Sequence, residues 1–189
     1  METIKIFTQH DKKWLHVFAK IIQLGSFING NDITVNHAGI IFKYKDEDLC
    51  LDIRKLQGVK IKKWKRNTKK KINYIFDTKI PIIDEVKFMD FIQQYKYYKY
   101  SIIGAISSFR FKSKKLQFLN IILSKIKNTN KQLHNTFCSN LTKEICKSWA
   151  NKNGIEISGI LKNNNVPTPQ DLYNYYVKID NKTISKKFH

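Results

Sequence analysis

Two hydrophobic rhythms follow one another along the chain, and their order limits what it can fold into more than any single residue does. From Ile33 to Tyr44, and again over Leu49-Cys50-Leu51-Asp52-Ile53, the sequence is rich in β-formers, with the polar turn Lys45-Asp46-Glu47-Asp48 between them. Two antiparallel neighbours are expected. Gly58 to Trp64 and Ile72 to Phe76 read as further strands on either side of the basic stretch Lys65-Arg66-Asn67-Thr68-Lys69-Lys70-Lys71, a hairpin tip or a phosphate-seeking loop. After Pro81 the spacing becomes helical. Asp84 to Ile92 begins acidic and repeats apolar residues three and four apart, and Leu116 to Ile126 is periodic in the same way before the polar linker Lys127 to Lys131. A helix opening at Cys138 carries Leu141, Ile145 and Trp149 on one stripe and stops at Asn153-Gly154. Thr168-Pro169-Gln170-Asp171 combines an N-cap threonine, a proline in the first helical position and an acid three residues after the cap. Near the start, Trp14 to Ile22 predicts one more amphipathic helix ending by Gly25, and Asn29-Gly30-Asn31-Asp32 a turn.

A chain of 189 residues, 42% hydrophobic, can bury one core and leaves little for a second. One domain over residues 1–180 is therefore expected, with a polar tail over 181–189. The three cysteines, Cys50, Cys138 and Cys146, form neither an even framework nor a C-x-x-C pair, which argues against a disulfide scaffold and a structural zinc site. Reduced thiols and a cytoplasmic setting fit, with neither metal nor cofactor required. The first residues lack a basic region followed by an apolar stretch, and no apolar run approaches the roughly 20 residues of a membrane span. A viral or phage product acting inside a host cell would have the same character.

The formal charge of +20 should draw anionic partners, nucleic acid among them. Only Arg54, Arg66 and Arg110 supply the planar guanidinium that reads phosphates and bases, so most of this charge is lysine, and a solvated surface is favoured over a functional basic face.

Cys138 is the first candidate for chemistry. A thiol in the first turn of a helix meets the positive end of the helix dipole and unsatisfied backbone N–H groups, which favour thiolate and could also hold a developing oxyanion. The alternative is a small buried hydrophobe. His37 lies on a predicted strand beside Ala38 and Gly39, whose small size lets a helix end or a substrate backbone approach; it is a general base or a hydrogen-bonded structural histidine. Asp52 on the next strand could accept the second imidazole N–H, or be an edge-strand charge. Cys50, two positions earlier, shares its face by the period of two and reads as packing.

Three local patterns give these residues a context. Asn36-His37-Ala38-Gly39-Ile40-Ile41 resembles the His-Val-Gly-Ile strand of the permuted, YiiX-like branch of the NlpC-type papain-like cysteine peptidases and amidases, with Asp52 near the spacing of that branch's third polar residue. Tyr100-Ser101-Ile102-Ile103-Gly104 is similar to its Tyr-Asp-x-x-Gly. Phe137-Cys138-Ser139-Asn140-Leu141 is similar to its aromatic-Cys-Ser-Glu-Leu, followed by Gly154-Ile155 and by Thr168-Pro169-Gln170-Asp171-Leu172 in place of Thr-Pro-x-Asp-Leu. The likeness runs over about residues 33 to 175. It departs at Asp52, Ser101 and Asn140, which stand for Glu, Asp and Glu, and leaves the nucleophile and base in place.

The resemblance implies an α+β, circularly permuted papain-like fold in which a small, mainly antiparallel sheet packs against helices. It implies a Cys138-His37-Asp52 site that cleaves an amide, peptide or isopeptide bond through an acyl-enzyme, with Tyr100 and Ser139 as substrate contacts. Tyr100 reads equally as an aromatic packing residue. The same site would suit an acyltransferase or a lipid-ester hydrolase, and a basic face beside it would favour an acidic substrate. Two other classes compete. One is a non-catalytic nucleic-acid-binding protein using runs such as Lys96-Tyr97-Tyr98-Lys99-Tyr100; the other is a binding module that keeps the fold without turnover.

Overall fold

A computed structural model describes residues 1–11, 34–54, 58–65, 71–101, 135–163 and 165–187. The expected helices at Trp14 to Ile22 and Leu116 to Ile126, the turn at Asn29 to Asp32, the linker at Lys127 to Lys131 and the middle of the basic stretch lie outside these residues. What is described is mixed α+β, built on a five-stranded sheet in the order β4-β3-β2-β1-β5. The strands are β1 (Thr3–Asp11), β2 (His37–Tyr44), β3 (Glu47–Arg54), β4 (Gly58–Lys63) and β5 (Lys71–Pro81), each antiparallel to its neighbours.

β1 is the strand that sequence reading passed over. It lies between β2 and β5, with Phe7 opposite Gly39 on one side and Ile75 on the other. The alternation of Ile4 and Ile6 with Thr3, Lys5 and Phe7 is the period-two signal that marks it. The β2–β3 hairpin turns on Lys45 and Asp46, both at positive φ, the conformation that matches a two-residue loop to the strand twist.

The period of two then sorts the sheet into faces. Ile4 and Ile6 of β1, Ala38, Ile40 and Phe42 of β2, and Leu51 and Ile53 of β3 point into the main core. Three helices cover them: α1 (Glu85–Gln93), α2 (Cys138–Lys152) and α4 (Pro169–Lys187); a short α3 (Gly159–Lys162) links the last two. α1 starts where its sequence says it should, with Asp84 accepting the N–H groups of Val86 and Lys87. The stripe Leu141, Ile145 and Trp149 of α2 is buried, and the Trp149 ring stands edge-on to Phe88 at 4.9 Å while its Nε1 donates to the Pro81 carbonyl at 3.0 Å. Burying a side chain of this size contributes on the order of 2–3 kcal/mol, so this contact is a major tie between helix and sheet. Thr168 and Asp171 form the expected reciprocal cap of α4, through Asp171 Oδ2 accepting from the Thr168 N–H and hydroxyl. The helix continues through Lys187, into the stretch read as a polar tail.

The opposite sheet face carries a smaller apolar cluster of Phe7, Ile41 and Cys50, with Trp64 and Ile75 against it. No described helix is long and apolar enough to cross a membrane.

Candidate active site

His37 is the first residue of β2, and both residues before it are pinned. The Val35 N–H donates to Gln170 Oε1 at 3.0 Å, and the Asn36 N–H to the Gln9 carbonyl at 2.9 Å. The imidazole is thereby set at the end of the sheet, beside the Phe7 ring at 6.0 Å between centroids. Gly39 makes that arrangement possible: a Cβ there would lie 2.5 Å from Phe7 Cε1 and 2.6 Å from the Leu51 carbonyl oxygen.

Cys138 begins α2. Phe137 before it is extended and offers no side-chain cap, so the first-turn N–H groups are not taken up by their own N-cap residue. A two-residue parallel bridge precedes the helix: β6 (Lys99–Tyr100) beside β7 (Asn135–Thr136), with Tyr100 opposite Thr136. That register sets Tyr100 next to Cys138, near enough for the sulfur to act on the tyrosine hydroxyl. Burial and the neighbouring sulfur both push the Tyr100 hydroxyl upward, so it stays a phenol and can donate.

The three residues singled out for chemistry come together. The Cys138 sulfur lies near enough to the His37 imidazole to act on its charge, and His37 Nε2 lies 3.5 Å from Asp52 Oδ2, an ion-pair distance without a regular hydrogen bond. All three are recessed, with exposures of 12% for the His37 side chain and 3% each for Cys138 and Asp52. Burial alone would strip the imidazole of its proton. The Cys138 sulfur and the Asp52 carboxylate overturn that effect and raise the His37 pKa from 6.5 to about 9.

Asp52 differs from the simple expectation. Its Oδ2 accepts from Arg54 Nε and from Lys62 Nζ, each at 3.0 Å, shorter than its contact with His37. Burial opposes its charge, yet His37, Arg54 and Lys62 together hold the carboxyl well below the usual carboxylate range. Arg54 follows Asp52 by two on the same strand face, a relationship the sequence carries; Lys62 reaches it only through the β3–β4 register, in which Asp52 stands opposite Lys60. Among the described residues no group of three or more His, Cys, Asp or Glu could hold a metal ion.

Ser139, expected as a substrate contact, is held from within the fold. Its side chain is fully buried and its hydroxyl donates to the Pro167 carbonyl at 2.7 Å, because the second residue of α2 turns toward the α4 entry. The segment from Pro167 to Gln170 therefore grips both halves of the site, the Cys138 helix through Ser139 and the His37 strand through Val35. From the sequence Gln170 stands only as an unassigned position inside the Thr168-Pro169-Gln170-Asp171 helix start, and its burial and its hold on Val35 come from the fold.

The other cysteines are placed differently. Cys50 lies in the smaller cluster, where burial pushes its thiol up to about 11, and Cys146 lies in the main core, where burial pushes it up to about 12. Of the tyrosine run, Tyr95 is buried against Tyr98, Tyr98 and Tyr100 are half-buried, and Tyr97 is broadly exposed at 77%. Comparison with models of known protein families and with curated proteins finds no match for this chain.

Proposed function

We propose that the chain is a cysteine hydrolase of the permuted papain-like type, cleaving an amide, peptide or isopeptide bond through an acyl-enzyme on Cys138. The observation that carries this reading is the nearness of His37 to the sulfur at the start of α2, with Asp52 behind the imidazole. The order of base before nucleophile, and the antiparallel sheet packed on the Cys138 helix, support the permuted fold.

With Nε2 turned toward Asp52, Nδ1 is the ring nitrogen for the sulfur proton. The thiolate attacks the carbonyl carbon; the C–S bond forms as the carbonyl π pair moves to oxygen. In this reading the first-turn N–H groups of α2, with the Tyr100 hydroxyl, receive the developing oxyanion. Collapse expels the amine, which takes the proton from His37 and leaves a thioester. Water then gives a proton to His37, attacks the thioester carbon, and returns the carboxylic acid and the thiol. The same thioester passed to an alcohol or amine would make an acyltransferase.

The test uses p-nitrophenyl acetate with stopped-flow absorbance and intact mass. A burst of one nitrophenolate per chain and one acetyl group on Cys138 are expected, both absent in Cys138→Ala. His37→Gln should slow acylation on the order of 10²–10⁴-fold. Turnover that survives Cys138→Ala, or an acetyl group on Cys50 or Cys146 instead, contradicts the proposal.

The same geometry weighs against the basic tyrosine run as a base-stacking platform, since stacking needs several open ring faces and Tyr97 is the one that is broadly exposed among Tyr95, Tyr97, Tyr98 and Tyr100.

A further inference from the structure

Asp52 is outnumbered. Arg54 and Lys62 both bind its Oδ2, Lys60 stands directly opposite it on β4, and the three cations share one sheet face with His37. The next carboxylate along that face of β3, Asp48, is opposite Lys43 at the far end of the hairpin. If the imidazolium is balanced by the Cys138 thiolate, one carboxylate faces three formal positive charges on β3 and β4. Holding Asp52 in place would need one of them. Arg54 and Lys62 are also open to solvent, at 35% and 44% of their side chains, and each uses a single N–H toward Asp52. Among the described residues, the guanidinium keeps its Nη donors and the ammonium two more hydrogens for another acceptor.

We infer that Arg54 and Lys62 form the anion subsite of this active centre, so that the substrate it cleaves carries a carboxylate or a phosphate. The inference rests on the acyl-hydrolase reading for its chemistry, and on these two cations for its specificity. One carboxylate oxygen separates each of them from His37, so an anion held there lies on the Asp52 side of the imidazole, coupled to the base through that oxygen. Because both cations compete with His37 for Oδ2, an anion that draws them outward also leaves that oxygen to the imidazole. Anionic substrates would thus be bound and would strengthen the support of the base in the same step.

Three p-nitrophenyl esters of similar length test this: the pentanoate, the hydrogen glutarate and the 4-phosphonobutanoate. At low salt kcat/KM should favour the anionic esters by roughly tenfold, the gain two half-exposed cations can supply, and added salt should erode it. A preference for glutarate identifies a carboxylate-bearing substrate such as an acidic peptide, and one for the phosphonate a phosphate-bearing one. Lys62→Glu and Arg54→Gln should collapse the anionic-to-neutral ratio toward one, whatever they do to the neutral rate. A ratio that is one in the unaltered protein, or that both variants leave intact, overturns the inference while the hydrolase reading stands. If no ester acylates Cys138, the hydrolase reading fails, and titration with inorganic phosphate followed by ¹⁵N NMR at Arg54 Nε still decides the subsite. A saturable shift that Lys62→Glu abolishes supports it, and the absence of any saturable shift overturns it.

Discussion

Gln170, in the first turn of α4, accepts the backbone N–H of Val35 at 3.0 Å and so fixes the strand two residues before His37. Val35 is fully buried, so removing its acceptor leaves an unpaired N–H where water cannot replace it. Gln170→Ala is expected to lower unfolding free energy by about 1–3 kcal/mol. As a positioning residue it should also lower kcat on an activated ester more than it raises KM, and shift the pH profile of the reaction. Gln170→Glu, which keeps the acceptor, should recover most of the rate. A loss of stability with an unchanged kcat and pH profile would assign Gln170 to the fold alone.

Asp52 supports the charged imidazole, and Arg54 and Lys62 beside it oppose that charge. Asp52→Asn removes the supporting carboxylate and leaves two cations without their partner. The His37 pKa, held at about 9, should fall in this variant by at least about one pH unit. NMR titration of the His37 Cε1–H resonance reads this directly. An unchanged midpoint would mean that Cys138 alone sustains the imidazolium.

The same shift makes stability depend on pH with a definite sign. His37 binds its proton more tightly folded than unfolded, so its contribution is complete below the unfolded pKa of 6.5 and is lost as pH rises through about 9. Unfolding free energy should therefore decline across that window, and the decline should flatten in His37→Gln. Denaturant titrations at a series of pH values give the curve; a rise over the window would contradict the assignment.

How much of this was legible beforehand depended on distance along the chain. Patterns confined to a few residues carried through: the strands β2 and β3 and their turn, the acidic start and helical spacing of α1, the Leu141-Ile145-Trp149 stripe and the Thr168–Asp171 box all rest on near-neighbour spacing. β1 was missed because the opening residues were weighed as a targeting signal and not for their alternation. The candidates Cys138, His37 and Asp52 were named from local context, but the grip of Gln170 on Val35 spans 135 residues and the hold of Lys62 on Asp52 needs the β3–β4 register. The inward turn of Ser139 depends in the same way on where the α4 entry packs, which no local pattern specifies.

Gly39 is required by close approach, since its φ needs no special conformation but a Cβ would meet Phe7 and the Leu51 carbonyl oxygen at under 3 Å. Gly39→Ala must push the Phe7 ring away from its place beside His37. The expected cost is about 1–3 kcal/mol of stability together with slower acylation. Phe7→Leu in the Gly39→Ala background should restore part of both by making room. Thermal melts and burst rates check it, and full stability with normal rates in Gly39→Ala alone would refute the packing argument.

The central claim is that His37 activates the Cys138 sulfur as a nucleophile, and alkylation of the individual cysteines by iodoacetamide tests it most directly. With labelling rates mapped by peptide mass from about pH 5 to 9, Cys138 should outpace Cys50 and Cys146 throughout the acidic half of the range, because burial keeps those two thiols protonated. The advantage should vanish in His37→Gln. Equal, slow labelling of all three cysteines, or a Cys138 rate indifferent to the loss of His37, would contradict the account.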